Sequence, residues 1–170
     1  MNIEIKNSVD KNSFISINLI DYSVLGEIRL FIQNELSNAG LKEIEIQKIV
    51  VAIDEICTNL IKHALGYKTF EIKKKENKNE VYLSDSNYNK IEIELEIEEN
   101  KLIIKIVDIT QSFNILDMPD TNMSNYFKLF KSGGLGIKLV KLIMDKIEYF
   151  PADETQNKNT LILTKFFSRA

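Results

Sequence analysis

The sequence predicts an α+β chain, a two-layer α/β sandwich with helices on one face of a mixed, mostly antiparallel sheet. Three observations predict it. Ile91-Glu92-Ile93-Glu94-Leu95-Glu96-Ile97 alternates strictly between apolar and acidic residues, the pattern of a strand with one face buried and one in water. Two earlier segments carry apolar residues at helical spacing. The remaining signals follow in the order strand, helix, helix, strands, long irregular connection, helix, strand, strand.

Phe14 to Ile20 alternates in part and reads as the first strand. Asp21 is a good N-cap for a helix from Tyr22 to Ser37, where Val24, Leu25, Ile28, Phe31, Ile32 and Leu36 share one face. Gly40 stops it. A second helix is expected from Lys42 to Leu65, with Ile46, Ile49, Val50, Ile53, Ile56, Leu60, Ile61 and Ala64 on its apolar stripe and Gly66 as C-terminal cap. Tyr67 to Ile72 reads as a short strand. The polar run from Lys73 to Lys90 reads as a solvated loop, because Glu71, Glu76, Glu80 and Asp85 dilute its lysines. After the alternating strand, Glu98 to Lys101 makes a turn and Leu102 to Val107 returns as a more apolar strand. Ile109 to Ser132 has no period and holds Pro119, Tyr126, Phe127 and Phe130; irregular connections of this length are often functional lids. A helix from Ile137 to Asp145, a strand at Ile147 to Phe150, a turn at Pro151 and a last strand from Leu161 to Phe166 complete the chain.

A length of 170 residues reads as one domain, 1–170, and an ordinary composition of 44% hydrophobic and 28% charged residues suits a folded soluble protein. The net charge of −3 gives no reason to expect nucleic acid as a partner. Cys57 stands alone, so no internal disulfide is expected and a reducing, cytoplasmic setting is favoured. Met1 to Asn12 lacks a signal-peptide core, and no stretch approaches the roughly 18 apolar residues of a membrane span. One histidine and one cysteine do not make a structural zinc site.

Three of the six glycines fall in Gly133-Gly134-Leu135-Gly136, immediately before a helix. Glycine at a helix start lets backbone N–H groups approach an anion where the helix dipole also favours negative charge. The P-loop pattern and the dinucleotide fingerprint are both absent, since Leu139 stands where a third fingerprint glycine is needed. Glu55 and Asn59 lie one turn apart on the second helix, away from its apolar stripe, with Lys62 and His63 nearby. An amide oxygen can ligate magnesium, and a carboxylate can orient or deprotonate a hydroxyl. A solvated helix face explains the same pair. Asp108 ends a strand at the mouth of the long connection, where it can accept a hydrogen bond from a ligand or form a turn.

Taken in order, these pieces resemble the GHKL ATPase superfamily. Glu55-Ile-Cys-Thr-Asn59 with Lys62-His63-Ala64, then Asp108, then Gly133-Gly134-Leu135-Gly136, look like its three nucleotide-binding boxes. The wording of the first and last boxes, and the closing Asn159 to Lys165, is most similar to the small anti-sigma-factor serine kinases of bacterial partner-switching systems. The resemblance implies ATP and Mg²⁺ as cofactors. It implies Glu55 as general base, Asn59 as Mg²⁺ ligand, Asp108 as reader of the adenine amino group, and Gly133, Gly134 and Gly136 as the phosphate cradle, beneath an ATP lid at 109–132. Lys131 is a further candidate phosphate contact and Thr160 a candidate lining of the adenine pocket. The implied activity is serine/threonine phosphorylation of an anti-sigma-factor antagonist by a protein that also holds a sigma factor, and the implied assembly is a homodimer. One departure stands out: Asp108-Ile109-Thr110-Gln111-Ser112-Phe113 keeps the family's aspartate and phenylalanine but carries Thr110 and Ser112 where the family has glycines. Glycine permits positive φ that Thr110 resists, so a non-catalytic binding module on the same fold is the second expectation. A detached ATP-binding half of a histidine kinase is a third; the short chain and the wording of the boxes speak against it.

Overall fold

The computed structural model describes residues 3–7, 12–18, 22–66, 90–109 and 135–168. Six strands form one sheet: β1 (Ile3–Asn7), β2 (Asn12–Asn18), β3 (Lys90–Ile97), β4 (Lys101–Asp108), β5 (Lys146–Phe150) and β6 (Asn159–Phe166). Three α-helices accompany it: α1 (Leu25–Asn38), α2 (Glu43–Gly66) and α3 (Leu135–Ile143). The spatial order is β1-β2-β3-β4-β6-β5. The α+β sandwich is what the sequence led one to expect, with one refinement. Every described pairing is antiparallel, because β6 inserts between β4 and β5.

Strand register explains where the core lies. Ile15, Ile93, Ile106 and Leu161 make one continuous cross-strand row, and Leu95, Ile104 and Leu163 make the next. All seven are buried, at 7% exposure or less. Side chains alternate across a strand, so the glutamates of β3 take the opposite face. There Glu94 meets its cross-strand partner Lys105 at 3.9 Å, and Glu92 meets Lys158 at 3.4 Å. The glutamate row is thus half-buried and partly neutralised by the sheet's own lysines.

The helices cover the apolar face. α2 buries Ile46, Ile49, Ile53, Ile56, Leu60 and Ile61, the stripe its period predicts. α1 packs beside it through Ile28, Phe31, Ile32 and Leu36. Arg29 on α1 grips Asp54 on α2 with two parallel hydrogen bonds of 2.7 and 3.0 Å. That contact raises the Arg29 pKa above its ordinary value, first through the hydrogen bond to Asp54. Gly40, at φ +78°, ends α1 in a left-handed turn that a side chain would resist. Gly40 N–H donates to Ser37 and Leu41 N–H to Leu36, and buried Leu41 accompanies buried Leu36 there.

Some boundaries differ from the sequence reading. A short 3₁₀ turn at Tyr22–Val24 precedes α1, and Val24 takes the N-cap position without a side-chain cap bond. Asp21, expected in that role, lies outside the described residues. β1 was not expected; a five-residue strand with only β2 beside it carries too little periodic signal to stand out. β6 begins two residues earlier than expected, and α3 begins at Leu135 rather than Ile137. The expected strand at 67–72, the expected loop at 73–90 except Lys90, which instead opens β3, and all of the 109–132 connection except Ile109 lie outside the described residues.

Candidate functional site

The inner rows of the sheet change character at one end. Next to the apolar row of Ile93, Ile106 and Leu161, the register sets Ile91 beside Asp108 and Asp108 beside Asn159. Two polar residues therefore enter a layer that is otherwise hydrocarbon. Asp108 is 5% exposed and Asn159 is 1% exposed. A polar group buried this deeply is destabilising unless it is hydrogen-bonded. Asn159 Nδ2 donates to Asp108 Oδ1 at 3.1 Å. Asn159 Oδ1 accepts from the Ala152 backbone N–H at 2.9 Å and from the Tyr149 hydroxyl at 3.2 Å. The backbone donor fixes which way the amide faces, so its NH₂ end is committed to the carboxylate.

A cleft opens in front of this network. From α2 it takes Ile56, Asn59 and Leu60; from β4, Ile106 and Asp108. Ile137 of α3, Tyr149 and Leu161 close the other side. The space is about 360 Å³ with its open mouth included. Its walls are apolar, with a few polar groups converging, as in small-molecule sites. Asn59 Nδ2 is buried there and has no hydrogen-bond partner among the described residues. A buried amide nitrogen without a partner is uncommon and marks this end of the cleft.

Glu55 lies one turn before Asn59 on α2 and is half-buried. It points at the first turn of α3. A Cβ built on Gly136 would overlap the Glu55 carboxylate and stand 3.1 Å from its Cγ. The helix start and the carboxylate of the first box are therefore in contact, although they lie 81 positions apart in the chain.

The structure thus brings together Glu55, Asn59, Asp108 and Gly136 from three separate elements. It does not bring Thr160 to them. Thr160 pairs with Val107, one position out of phase with Asp108, so its side chain takes the opposite sheet face. The place beside Asp108 belongs to Asn159, which the sequence reading missed together with Tyr149. The signal was present: Leu161 and Leu163 are core residues, and alternation puts Asn159, not Thr160, in phase with them. Lys131, Gly133 and Gly134, and the substituted Thr110 and Ser112, lie outside the described residues. Cys57, next to this cluster in sequence, is fully buried and its thiol is pushed up to about 12, first by burial and then by the charge of Asp54. It stays protonated and takes no nucleophilic part.

A carboxylate and a carboxamide on one helix, a buried carboxylate at a strand end, and a helix start against the first carboxylate make a recognisable constellation. The family profile of the histidine kinase-like ATPase domain matches residues 21–165. The chain belongs to this family. As a histidine kinase-like ATPase domain it is similar to proteins called serine-protein kinase RsbW. That of Bacillus licheniformis is 25% identical over 149 residues, covering 85% of this chain and 80% of that protein. That of Staphylococcus aureus is 26% identical over 147 residues, covering 84% and 79%. Among solved structures, a chain of the SiaB-SiaC complex from Pseudomonas aeruginosa superposes with a TM-score of 0.59 at 12% identity, covering 89% of each chain. At that identity the likeness is one of fold. Among the described residues, no helix is long and apolar enough to cross a membrane.

Proposed function

We propose that this protein is an ATP- and Mg²⁺-dependent serine/threonine protein kinase. In this reading it acts in the cytoplasm as one domain, holds a sigma factor as an anti-sigma factor, and phosphorylates an anti-sigma-factor antagonist. The observation that carries the nucleotide reading is the cleft itself, where the orphaned Asn59 amide and the buried Asp108 carboxylate face one apolar space. The names of the relatives support the kinase reading.

The residues present fit a nucleotide with its metal. Among the described residues no three His, Cys, Asp or Glu side chains converge; a magnesium site completed by phosphate oxygens needs no such cluster. Asn59 would hold Mg²⁺ through its amide oxygen, leaving its unpaired Nδ2 to donate to a ligand oxygen, and Asp108, as an acceptor, would select a base that presents an amino group. Ile106, Ile137 and Leu161 would sandwich that base and exclude water. Bound Mg-ATP supplies the phosphoryl group and the cation that screens its charge. Glu55 would take the proton of the acceptor serine hydroxyl. Gly133, Gly134 and Lys131 are proposed to meet the phosphates, under a lid formed by 109–132, and the protein to act as a homodimer.

Calorimetry with ATP tests the first half. Binding should require magnesium, and Asn59→Ala should remove that requirement; no binding at millimolar nucleotide would overturn the reading. Phosphate transfer to the anti-sigma-factor antagonist of the same genome tests the second half. Glu55→Gln should bind ATP as wild type does and transfer no phosphate. The substitutions at Thr110 and Ser112 favour a second reading, a non-catalytic module. It is supported instead if the antagonist is retained equally with and without nucleotide and is never phosphorylated.

A further inference from the structure

Gly136 is the second residue of α3, and nothing in its own backbone requires glycine: its φ is not in the left-handed region. A helix of this length would be more stable with alanine there. What excludes a side chain is Glu55. An added Cβ would overlap Oε2 and Cδ of the Glu55 carboxyl group, and the three nearest atoms it would meet all belong to Glu55. The obstructing atoms are the free end of a flexible side chain, not backbone. Alanine would therefore fit, and Glu55 would move.

We propose that Gly136 is a positioning residue for the Glu55 carboxylate. The resemblance to known families gives this glycine to the phosphates; the geometry gives its missing side chain to the carboxylate of the neighbouring helix. The space left by the absent Cβ is where the carboxylate stands, against the first turn of α3. Ile137, the next residue, lines the cleft, so Glu55 is held against the element that borders the nucleotide space. The kinetic consequence rests on the proposed role of Glu55 as base; the contact itself does not.

A Cβ at Gly136 pushes the Glu55 carboxylate back by more than an ångström to reach ordinary contact. Misplacing a reacting group by about 1 Å can slow a reaction about 100-fold. Gly136→Ala should therefore transfer phosphate to the antagonist about 10- to 100-fold more slowly, with the loss in kcat exceeding any change in KM or in the Kd for Mg-ATP. A merely structural glycine would instead lose stability and binding together. The stability readout is independent of turnover. In a Glu55→Ala background, Gly136→Ala should raise Tm by about 1–3 °C, the gain of alanine over glycine in a helix. With Glu55 present, the gain should be smaller or reversed, because the carboxylate has to be displaced. Equal Tm shifts in the two backgrounds would overturn the contact. If Glu55→Gln stops transfer while Gly136→Ala transfers at the wild-type rate, the positioning role is wrong. If Glu55→Gln transfers normally, the base assignment fails, and the Tm cycle still decides the contact.

Discussion

Replacing Asn159 by alanine tests the buried end of the cleft most directly. The side chain's hydrogen bonds to described residues include those with Asp108, Ala152 and Tyr149, at 3.1, 2.9 and 3.2 Å. Truncation takes a donor from a carboxylate that is 5% exposed and an acceptor from a backbone N–H. A hydrogen bond to a charged group contributes about 1.5–3 kcal/mol and a neutral one about 1. The tyrosine hydroxyl can turn to water, so its bond is discounted. The sum is a loss of about 3 kcal/mol, or roughly 6–12 °C in Tm for a chain of this size. Calorimetric unfolding of wild type and Asn159→Ala reads it. A second reading separates function from stability. With the Asn159 donor to Asp108 gone, the preference for ATP over inosine triphosphate, which lacks the amino group, should fall about tenfold, one charge-assisted bond's worth of discrimination. Asn159→Asp should be worse at neutral pH, since it sets two carboxylates against each other. A Tm loss under about 2 °C for Asn159→Ala, against the sum above, would refute the network as a stabilising unit.

Two further outcomes follow from titrating groups. Cys57, with its thiol raised from 9.0 to about 12, should react with Ellman's reagent at least about a thousandfold more slowly in the native protein than in denaturant, because only the unfolded chain exposes it; equal rates would contradict its burial. Its sign is that of a raised acid: the stabilisation is whole below the unfolded thiol's value, and stability falls as pH climbs from there towards 12. Asp153 has the opposite sign. Its carboxylate accepts from the Thr155 hydroxyl and from the backbone N–H groups of Gln156 and Thr155, which hold its pKa below the ordinary value. The Tm difference between wild type and Asp153→Ala should be present at about pH 6 and close as the pH falls below about 3. A gap that survives in acid would assign the difference to something other than that charge.

The long-period signals were legible because burial alone writes them. The strict alternation at 91–97 and the stripe of α2 each name a buried face without reference to any other element, and both faces are where that pattern puts them. Asp108 was legible for a related reason: it interrupts an apolar strand at its end. What stayed hidden was pairwise. Asn159 sits two residues before the expected strand, and only the pairing of β4 with β6 reveals that it, rather than Thr160, faces Asp108. A slip of one residue moves a side chain to the other face, so a boundary error of two residues was enough to conceal the partner. The glycine cluster shows the same limit more sharply. A glycine in a helix-forming run reports that a side chain is unwelcome, but it does not report what excludes it. A phosphate, a tight turn and a neighbouring carboxylate leave the same letter in the sequence. Only the crossing of α2 and α3 distinguishes them, by setting Glu55 against Gly136. Backbone strain can be set aside at Gly136 on its φ, and the remaining choice is between a ligand that comes and goes and a side chain that is always there. The second is the one that an alanine at Gly136 and an alanine at Glu55, combined, can separate from the first.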